Sequence, residues 1–214
     1  MKKIVILGGS GYVGTAIISF FLEKKTKVVN LDNLIYRQNN KFSFSKNNNY
    51  EFIKYDMRSK NFDPTILEDA DTVVILASLV GDPISNKYKK ATKTINITAT
   101  KKFIDKSIKL GVKKLIFVST CSNYGLIEKN LAAKENYKLN PLSPYAKSKV
   151  EIENYLIKKK SKELNTKIFI LRFATAFGFS ERMRFDLTVN EFIKTIMQKK
   201  KLIIYDENTW RPYC

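Results

Sequence analysis

The feature that most restricts this chain is a short apolar run, Ile4-Val5-Ile6-Leu7, that leads directly into Gly8-Gly9-Ser10-Gly11-Tyr12-Val13-Gly14. Four apolar residues bounded by glycine are too few for a helix and read as a buried strand. The apolar positions that follow, Ile17, Phe21 and Leu22, fall on one face at helical spacing. A strand, a glycine turn and an amphipathic helix in that order form the opening unit of a parallel sheet, because parallel neighbours need a crossover rather than a hairpin.

The rest of the chain repeats this alternation. Residues 28–31, 52–55, 72–76, 115–119 and 168–171 read as further strands. Most are apolar throughout, the pattern of strands covered on both faces. Ile97, Ile104 and Ile108 mark a helix with Gly111 as its C-terminal stop. Pro144 suits the first turn of a helix reaching about Lys160, and residues 187–200 form another. The expected architecture is α/β, a doubly wound parallel sheet of the Rossmann type with right-handed crossovers. The segment 37–49, rich in Asn, Ser and Lys, reads as a surface loop, and no repeat or linker divides the chain. The expected division is a nucleotide-binding domain over 1–176 and the start of a substrate region over 177–214.

Composition removes several function classes. The 214 residues include no histidine, which excludes His-based triads and most zinc sites, and no metal site is expected. Two cysteines, Cys121 and Cys214, make no disulfide framework and fit a reducing cytoplasm. No run approaches the roughly 18 apolar residues of a membrane span, and the N-terminal apolar run is too short for a signal peptide. The net charge is +19, from 39 basic and 20 acidic residues. A field of that size can attract nucleic acid, but the lysines lie in short runs near helix ends with no basic–aromatic motif beside them. The charge therefore reads as compositional bias, with neither a nucleic-acid nor a membrane partner expected.

The glycine turn has a specific use. One glycine permits the turn, one lets backbone approach a pyrophosphate, and one lets the helix lie close to the sheet. The helix N-terminus offers N–H groups and a positive dipole end to phosphate. Asp32 closes the second strand about 20 residues on, where a carboxylate meets the ribose hydroxyls. It would repel a 2′-phosphate, so the expected cofactor is NAD rather than NADP; Arg37 reads as a solvated loop residue.

A second constellation follows the fifth strand. Tyr145 and Lys149 lie four residues apart at the start of a helix, one turn apart on one face. A phenol ordinarily titrates near 10. A neighbouring ammonium and a cationic nicotinamide would favour the phenolate and make it a usable base. The strand before it ends in Ser119-Thr120-Cys121-Ser122, where a hydroxyl could share the proton of a substrate alcohol.

Taken together, these residues resemble the NAD-dependent epimerase/dehydratase family of the extended short-chain dehydrogenase/reductases, to which UDP-glucose 4-epimerase belongs. The resemblance runs through Gly8 to Gly14, Asp32-Asn33-Leu34, Asp56-Met57-Arg58 and Leu76-Ala77-Ser78. It continues through Asn96, Val118-Ser119-Thr120, Tyr124-Gly125, Tyr145 with Lys149, and Leu171-Arg172-Phe173. It implies an enzyme that oxidises a nucleoside-diphosphate sugar at C4, epimerase and dehydrogenase both remaining open, and a homodimer at full length. By the same resemblance Gly8, Gly11, Tyr12, Val13, Gly14, Asp32 and Asn33 bind the cofactor. Asp56 and Met57 hold its adenine, Leu76, Ala77 and Ser78 line it, and Asn96 supports the long helix. Thr120 is the catalytic hydroxyl, Tyr145 the acid/base, and Lys149 binds the nicotinamide ribose while lowering the tyrosine pKa. Thr120, Thr175, Asn190 and Arg211 contact the sugar nucleotide, Arg211 at its diphosphate.

The chain departs from the family pattern in three places. Leu7 stands where threonine is common. Cys121 and Ser122 stand where family dehydratases usually carry a carboxylate, which argues against elimination of water. Trp210 to Cys214 resembles the middle of a motif that normally continues with a histidine and further strands and helices, so most of the C-terminal lobe is expected to be missing. The segment 178–187 also resembles epimerases and C4 dehydrogenases of bacterial surface-polysaccharide pathways. Two alternatives remain: a non-catalytic NAD sensor or scaffold of this fold, and a nucleotide-sugar dehydratase.

Overall fold

Six strands align because their β-branched, apolar sequences have faces to bury on both sides. In the computed structural model, which describes residues 2–36, 41–127, 131–160, 165–204 and 212–214, they are β1 (Lys3–Leu7), β2 (Lys27–Asp32), β3 (Tyr50–Lys54), β4 (Thr72–Ile75), β5 (Lys114–Thr120) and β6 (Lys167–Phe173). All pair in parallel in the order β3-β2-β1-β4-β5-β6. The chain winds outward from β1 to β3, returns, and winds the other way from β4. The reversal lies between β1 and β4, and the crevice beyond their carboxyl ends is where such sheets take ligands.

The helices are α1 (Tyr12–Glu23), α2 (Asp82–Lys87), α3 (Lys89–Thr92), α4 (Thr100–Lys109), α5 (Pro144–Lys160) and α6 (Thr188–Met197). A stretch of π-helix, Lys93–Ala99, joins α3 to α4. Its wider turn follows from no apolar period, and such insertions gather at functional sites. Gly111 stops α4 as expected: at φ +74° it lets the Gly111 and Val112 N–H groups donate back to Ile108 and Ser107. Ser143 opens α5 by accepting the Ala146 N–H at 3.2 Å, with Pro144 at the first helical position.

Val5, Leu7, Val29, Leu31, Phe103, Ile104, Phe117, Ile152 and Leu156 form the larger core, on the face covered by α4 and α5. Ile4, Ile6, Ile18, Leu22, Val28 and Val74 form a second core under α1. Phe42 and Phe44 belong to it as well, which corrects the surface-loop reading of 37–49. There the one-turn 3₁₀ helix Ser43–Lys46 turns two aromatic rings inward; residues 37–40 lie outside the described ones. A second correction concerns β6. Phe169 and Leu171 are 45% and 40% exposed, so double-sided cover ends before the sheet edge. Beside them a groove of about 820 Å³ is lined by Val13, Ile17, Phe20, Ile116, Val118 and Leu171. Among the described residues, no helix is long and apolar enough to cross a membrane.

Candidate functional site

The glycine turn sits at the carboxyl end of β1, at the reversal point. Gly8 has φ +88°, and a Cβ there would stand 2.5 Å from the Ala77 nitrogen. A Cβ on Gly14 would stand 2.5 Å from the Gly9 carbonyl oxygen, so α1 can start this close to the turn only with glycine. Around Gly11 the space is open, its nearest neighbour for a Cβ being the Gly8 carbonyl at 3.5 Å, and no side chain caps the start of α1. A backbone cradle at an uncapped helix N-terminus fits a pyrophosphate. Tyr12 and Val13 begin the helix.

Asp32 ends β2 and is 9% exposed. Its Oδ2 accepts the Ser10 N–H at 3.0 Å and its Oδ1 the Leu34 N–H at 2.8 Å. Burial pushes its pKa above the ordinary carboxylate value, against the backbone N–H groups of Leu34, Ser10 and Asn33. Asp32 therefore also ties the second strand to the glycine turn. Asn33 donates to Asp56 at 3.5 Å. Asp56 is gripped by the Arg58 guanidinium at 2.6 Å, whose hydrogen bonds hold its carboxyl at about 2. Met57 beside it is buried. Leu76 and Ala77 both donate to the Leu7 carbonyl, carrying the chain past the turn to Ser78. Asn96, on the π-helical stretch, brackets Leu79 by accepting its N–H at 2.8 Å and donating to its carbonyl at 3.1 Å. It also donates to Ser148 at 3.2 Å. Its side chain thus holds the loop after β4 against α5.

The catalytic candidates gather at the ends of β5 and α5. Thr120 closes β5 and its hydroxyl oxygen accepts the Ser122 N–H at 3.1 Å. Lys149 is 4% exposed, donates to the Val118 carbonyl at 2.8 Å, and lies 5.7 Å from the centre of the Tyr145 ring. Burial pulls the Lys149 ammonium down to about 7, although Glu153 one turn later favours its charge. Burial also pushes the Tyr145 phenol up to about 12. The charge that pulls it back is Arg184, while Cys121 and Asp82 push it further up. The expected lowering by Lys149 is not what the fold displays, because that ammonium is itself desolvated and directed at a carbonyl.

Glu153 is the functional-site residue that sequence reasoning missed. It is 1% exposed and its Oε1 accepts the Ser119 hydroxyl at 2.5 Å and the Asn123 amide at 2.7 Å. The Arg172 guanidinium donates to both its oxygens, from Nε to Oε1 at 3.1 Å and from Nη2 to Oε2 at 2.6 Å, and also donates to the Tyr124 hydroxyl at 3.1 Å. This charge pair joins β5, β6 and α5 directly beneath Thr120 and Lys149. An arginine within a strand and a glutamate between the core residues Ile152 and Leu156 were the available signals.

The expected substrate contacts behave differently. Thr175 forms an isolated parallel bridge with Tyr213, accepting from Cys214 and donating to Pro212, each at 3.0 Å. Asn190 is 3% exposed. Its amide donates to the Tyr12 hydroxyl at 3.0 Å and the Arg184 carbonyl at 3.1 Å, and its oxygen accepts the Gly178 N–H at 3.2 Å. Both of its hydrogens are therefore engaged within the protein. Arg211, like Arg37, lies outside the described residues. Among the described residues no His, Cys, Asp and Glu cluster could hold a metal ion.

A doubly wound parallel sheet with a glycine turn at its reversal point, an acidic end to β2, and a buried tyrosine–lysine pair beside a threonine hydroxyl defines a dinucleotide-dependent enzyme of the short-chain type. The model of the NAD dependent epimerase/dehydratase family matches residues 4–214, and the chain belongs to that family. The putative UDP-glucose 4-epimerase of Methanocaldococcus jannaschii is 29% identical over 98% of this chain and 68% of its own length. The dTDP-D-glucose 4,6-dehydratase of Dictyostelium discoideum is 27% identical over 96% of this chain and 50% of its own. The UDP-N-acetylglucosamine 4-epimerase of Methanobrevibacter ruminantium M1, solved with UDP-N-acetylmuramic acid, superimposes with a TM-score of 0.88 at 29% identity. It covers 100% of this chain and 68% of its own. The chain thus spans half to about two thirds of the length of these relatives.

Proposed function

We propose that this chain carries the NAD-binding and acid–base apparatus of a sugar-nucleotide epimerase or C4 dehydrogenase that works through a 4-keto sugar. The observation that carries the reading is that Thr120 ends β5, next but one to β1 in the parallel sheet, so that it shares the carboxyl edge of the sheet with the glycine turn, while Lys149 reaches that strand through the Val118 carbonyl and lies 5.7 Å from the Tyr145 ring. NAD, when bound, supplies the redox capacity for hydride transfer. Gly8, Gly11 and Gly14 with the start of α1 would hold its pyrophosphate, Asp32 and Asn33 its ribose, and Asp56 and Met57 its adenine. Tyr145 removes the proton from the C4 hydroxyl and returns it in the reverse step. Thr120 holds that hydroxyl, and Lys149 holds the nicotinamide ribose. A tyrosine at about 12 needs added positive charge to serve as a base at neutral pH, and Arg184 supplies part of it. The division at 176/177 follows β6: the residues before it build the sheet, and those after it carry Arg184 and Asn190 across to the crevice.

Cys121 and Ser122 supply no carboxylate for elimination. The dehydratase alternative is kept open by the 27% identity to the Dictyostelium discoideum dehydratase. The test is calorimetric titration with NAD and NADP, followed by incubation with UDP-, GDP-, dTDP- and CDP-sugars, with products read by NADH absorbance and mass spectrometry. NAD binding and an oxidised or C4-inverted product of unchanged carbon skeleton are expected. No NAD binding would overturn the reading, and a product lighter by one water would replace it with the dehydratase one.

A further inference from the structure

The glycine pattern asks nothing of position 12 beyond a residue that can start a helix, yet Tyr12 is 9% exposed, and a tyrosine that deep must satisfy its hydroxyl. It does so across 166 residues of sequence, donating to the Gly178 carbonyl at 2.6 Å. The same oxygen accepts from the Asn190 amide at 3.0 Å. Ser180, 3% exposed, donates to the Tyr12 backbone carbonyl at 2.7 Å and stands 2.6 Å from the Thr15 hydroxyl. It also accepts the Arg182 N–H at 3.2 Å. Asn190 closes the loop on itself through Gly178 and Arg184. At its far side Glu181 accepts the Ser43 N–H at 2.7 Å. The stretch 178–190 is thereby fixed to the first turn of α1 by four buried polar side chains. It carries Arg184 to where its charge acts on Tyr145.

We propose that Tyr12 is a positioning residue that locks the 178–190 segment, and with it Arg184, to the dinucleotide turn, so that a pyrophosphate held at the turn tightens the segment facing the catalytic tyrosine. This rests on the NAD-binding reading above. The coupling is physical. The residue whose hydroxyl holds the segment is also the first of α1, so restraining that turn restrains the carbonyl and hydroxyl on which Ser180, Gly178 and Asn190 depend. Because all four side chains are buried, a slack turn leaves unpaired polar groups, which favours the closed arrangement once the turn is fixed.

Hydrogen exchange read by mass spectrometry on the 214-residue chain, with and without saturating NAD, tests this. In the wild type, NAD slows exchange of the 178–190 amides by about fivefold or more, the lower end of couplings between sites. Tyr12→Phe keeps the ring and loses both hydroxyl bonds. It removes most of the slowing. Ser180→Ala, which cuts the other tie at a residue outside the cofactor-binding set, removes most of it too and lowers the calorimetric affinity for NAD by no more than the coupling itself, about fivefold. Equal exchange with and without NAD in the wild type, or full slowing retained in both variants, overturns the proposal. A fall in NAD affinity in Tyr12→Phe far beyond about fivefold, with none in Ser180→Ala, overturns it too, since Tyr12 would then act as a direct cofactor contact rather than through the segment. A wild-type chain that binds no NAD shows in the calorimetry alone and overturns the functional reading together with this one.

Discussion

Lys149→Met stabilises the fold at neutral pH while removing the proposed ribose contact, and the gain falls with rising pH. Burial takes the ammonium from its ordinary 10.5 to about 7. For a base lowered on folding, the cost is full below the folded value, where both states are charged. It shrinks as pH rises towards the unfolded value and vanishes above it. With about 1.4 kcal/mol for each pKa unit, the cost is about 4 kcal/mol at pH 7 and about 2 kcal/mol at pH 9. Methionine fills much of the same space without that cost, but leaves the Val118 carbonyl without its 2.8 Å donor, a loss of about 1–3 kcal/mol. The net gain at pH 7 is therefore about 1–3 kcal/mol, or several degrees in Tm for a chain of this size. The carbonyl loss does not titrate, so the difference between pH 7 and pH 9, about 2 kcal/mol, isolates the ammonium. Urea unfolding of wild type and variant at both pH values measures it. A stability difference that stays constant between them would refute the claim that Lys149 is buried against its charge.

Tyr145→Phe lowers turnover by about 10² to 10⁴, the worth of a positioned acid/base, and leaves NAD affinity nearly unchanged by calorimetry. NAD binds at least about tenfold tighter than NADP, a difference of about 1.4 kcal/mol. Asp32→Ala narrows that gap and also lowers Tm, because Ser10 and Leu34 lose their acceptor; an unchanged Tm would limit Asp32 to cofactor recognition. Glu153→Leu costs about 3 kcal/mol in urea unfolding, since it removes the buried carboxylate to which Ser119, Asn123 and the part-buried Arg172 all donate. The double variant Glu153→Leu with Arg172→Met recovers a large part of that loss if the pair, rather than either charge, is what the fold depends on.

The doubly wound sheet was legible because its signals are local. Ile4 to Leu7 cannot be helical against Gly8, and the strand–helix alternation admits few topologies. Gly111 marked the end of α4, and Pro144 the start of α5, through backbone conformations that single residues impose. The shift of β3 to Tyr50–Lys54 and the burial of Phe42 and Phe44 were not legible, because a polar stretch hides which aromatic rings find a neighbouring core. The same holds within the site. Glycine spacing, Asp32 and the Tyr145–Lys149 interval are properties of the chain and located the crevice before any fold was known.

What these groups are chemically was decided by the tertiary structure. Spacing puts Lys149 one turn from Tyr145, but only packing determines that the ammonium is desolvated and turned to Val118. It likewise determines that Arg184, from 39 residues further along the chain than Tyr145, is the charge that pulls the phenol back towards ionisation. Asn190 aligns with a ligand contact by sequence, and packing decides that its amide donates to Tyr12 and Arg184. The Glu153–Arg172 pair joins a helix to a strand that no short-range rule connects. Sequence sets which functional groups a segment carries and which face they share. Their protonation and partners depend on solvent exclusion and on contacts between residues distant in the chain, and those exist only once the sheet and its helices have packed.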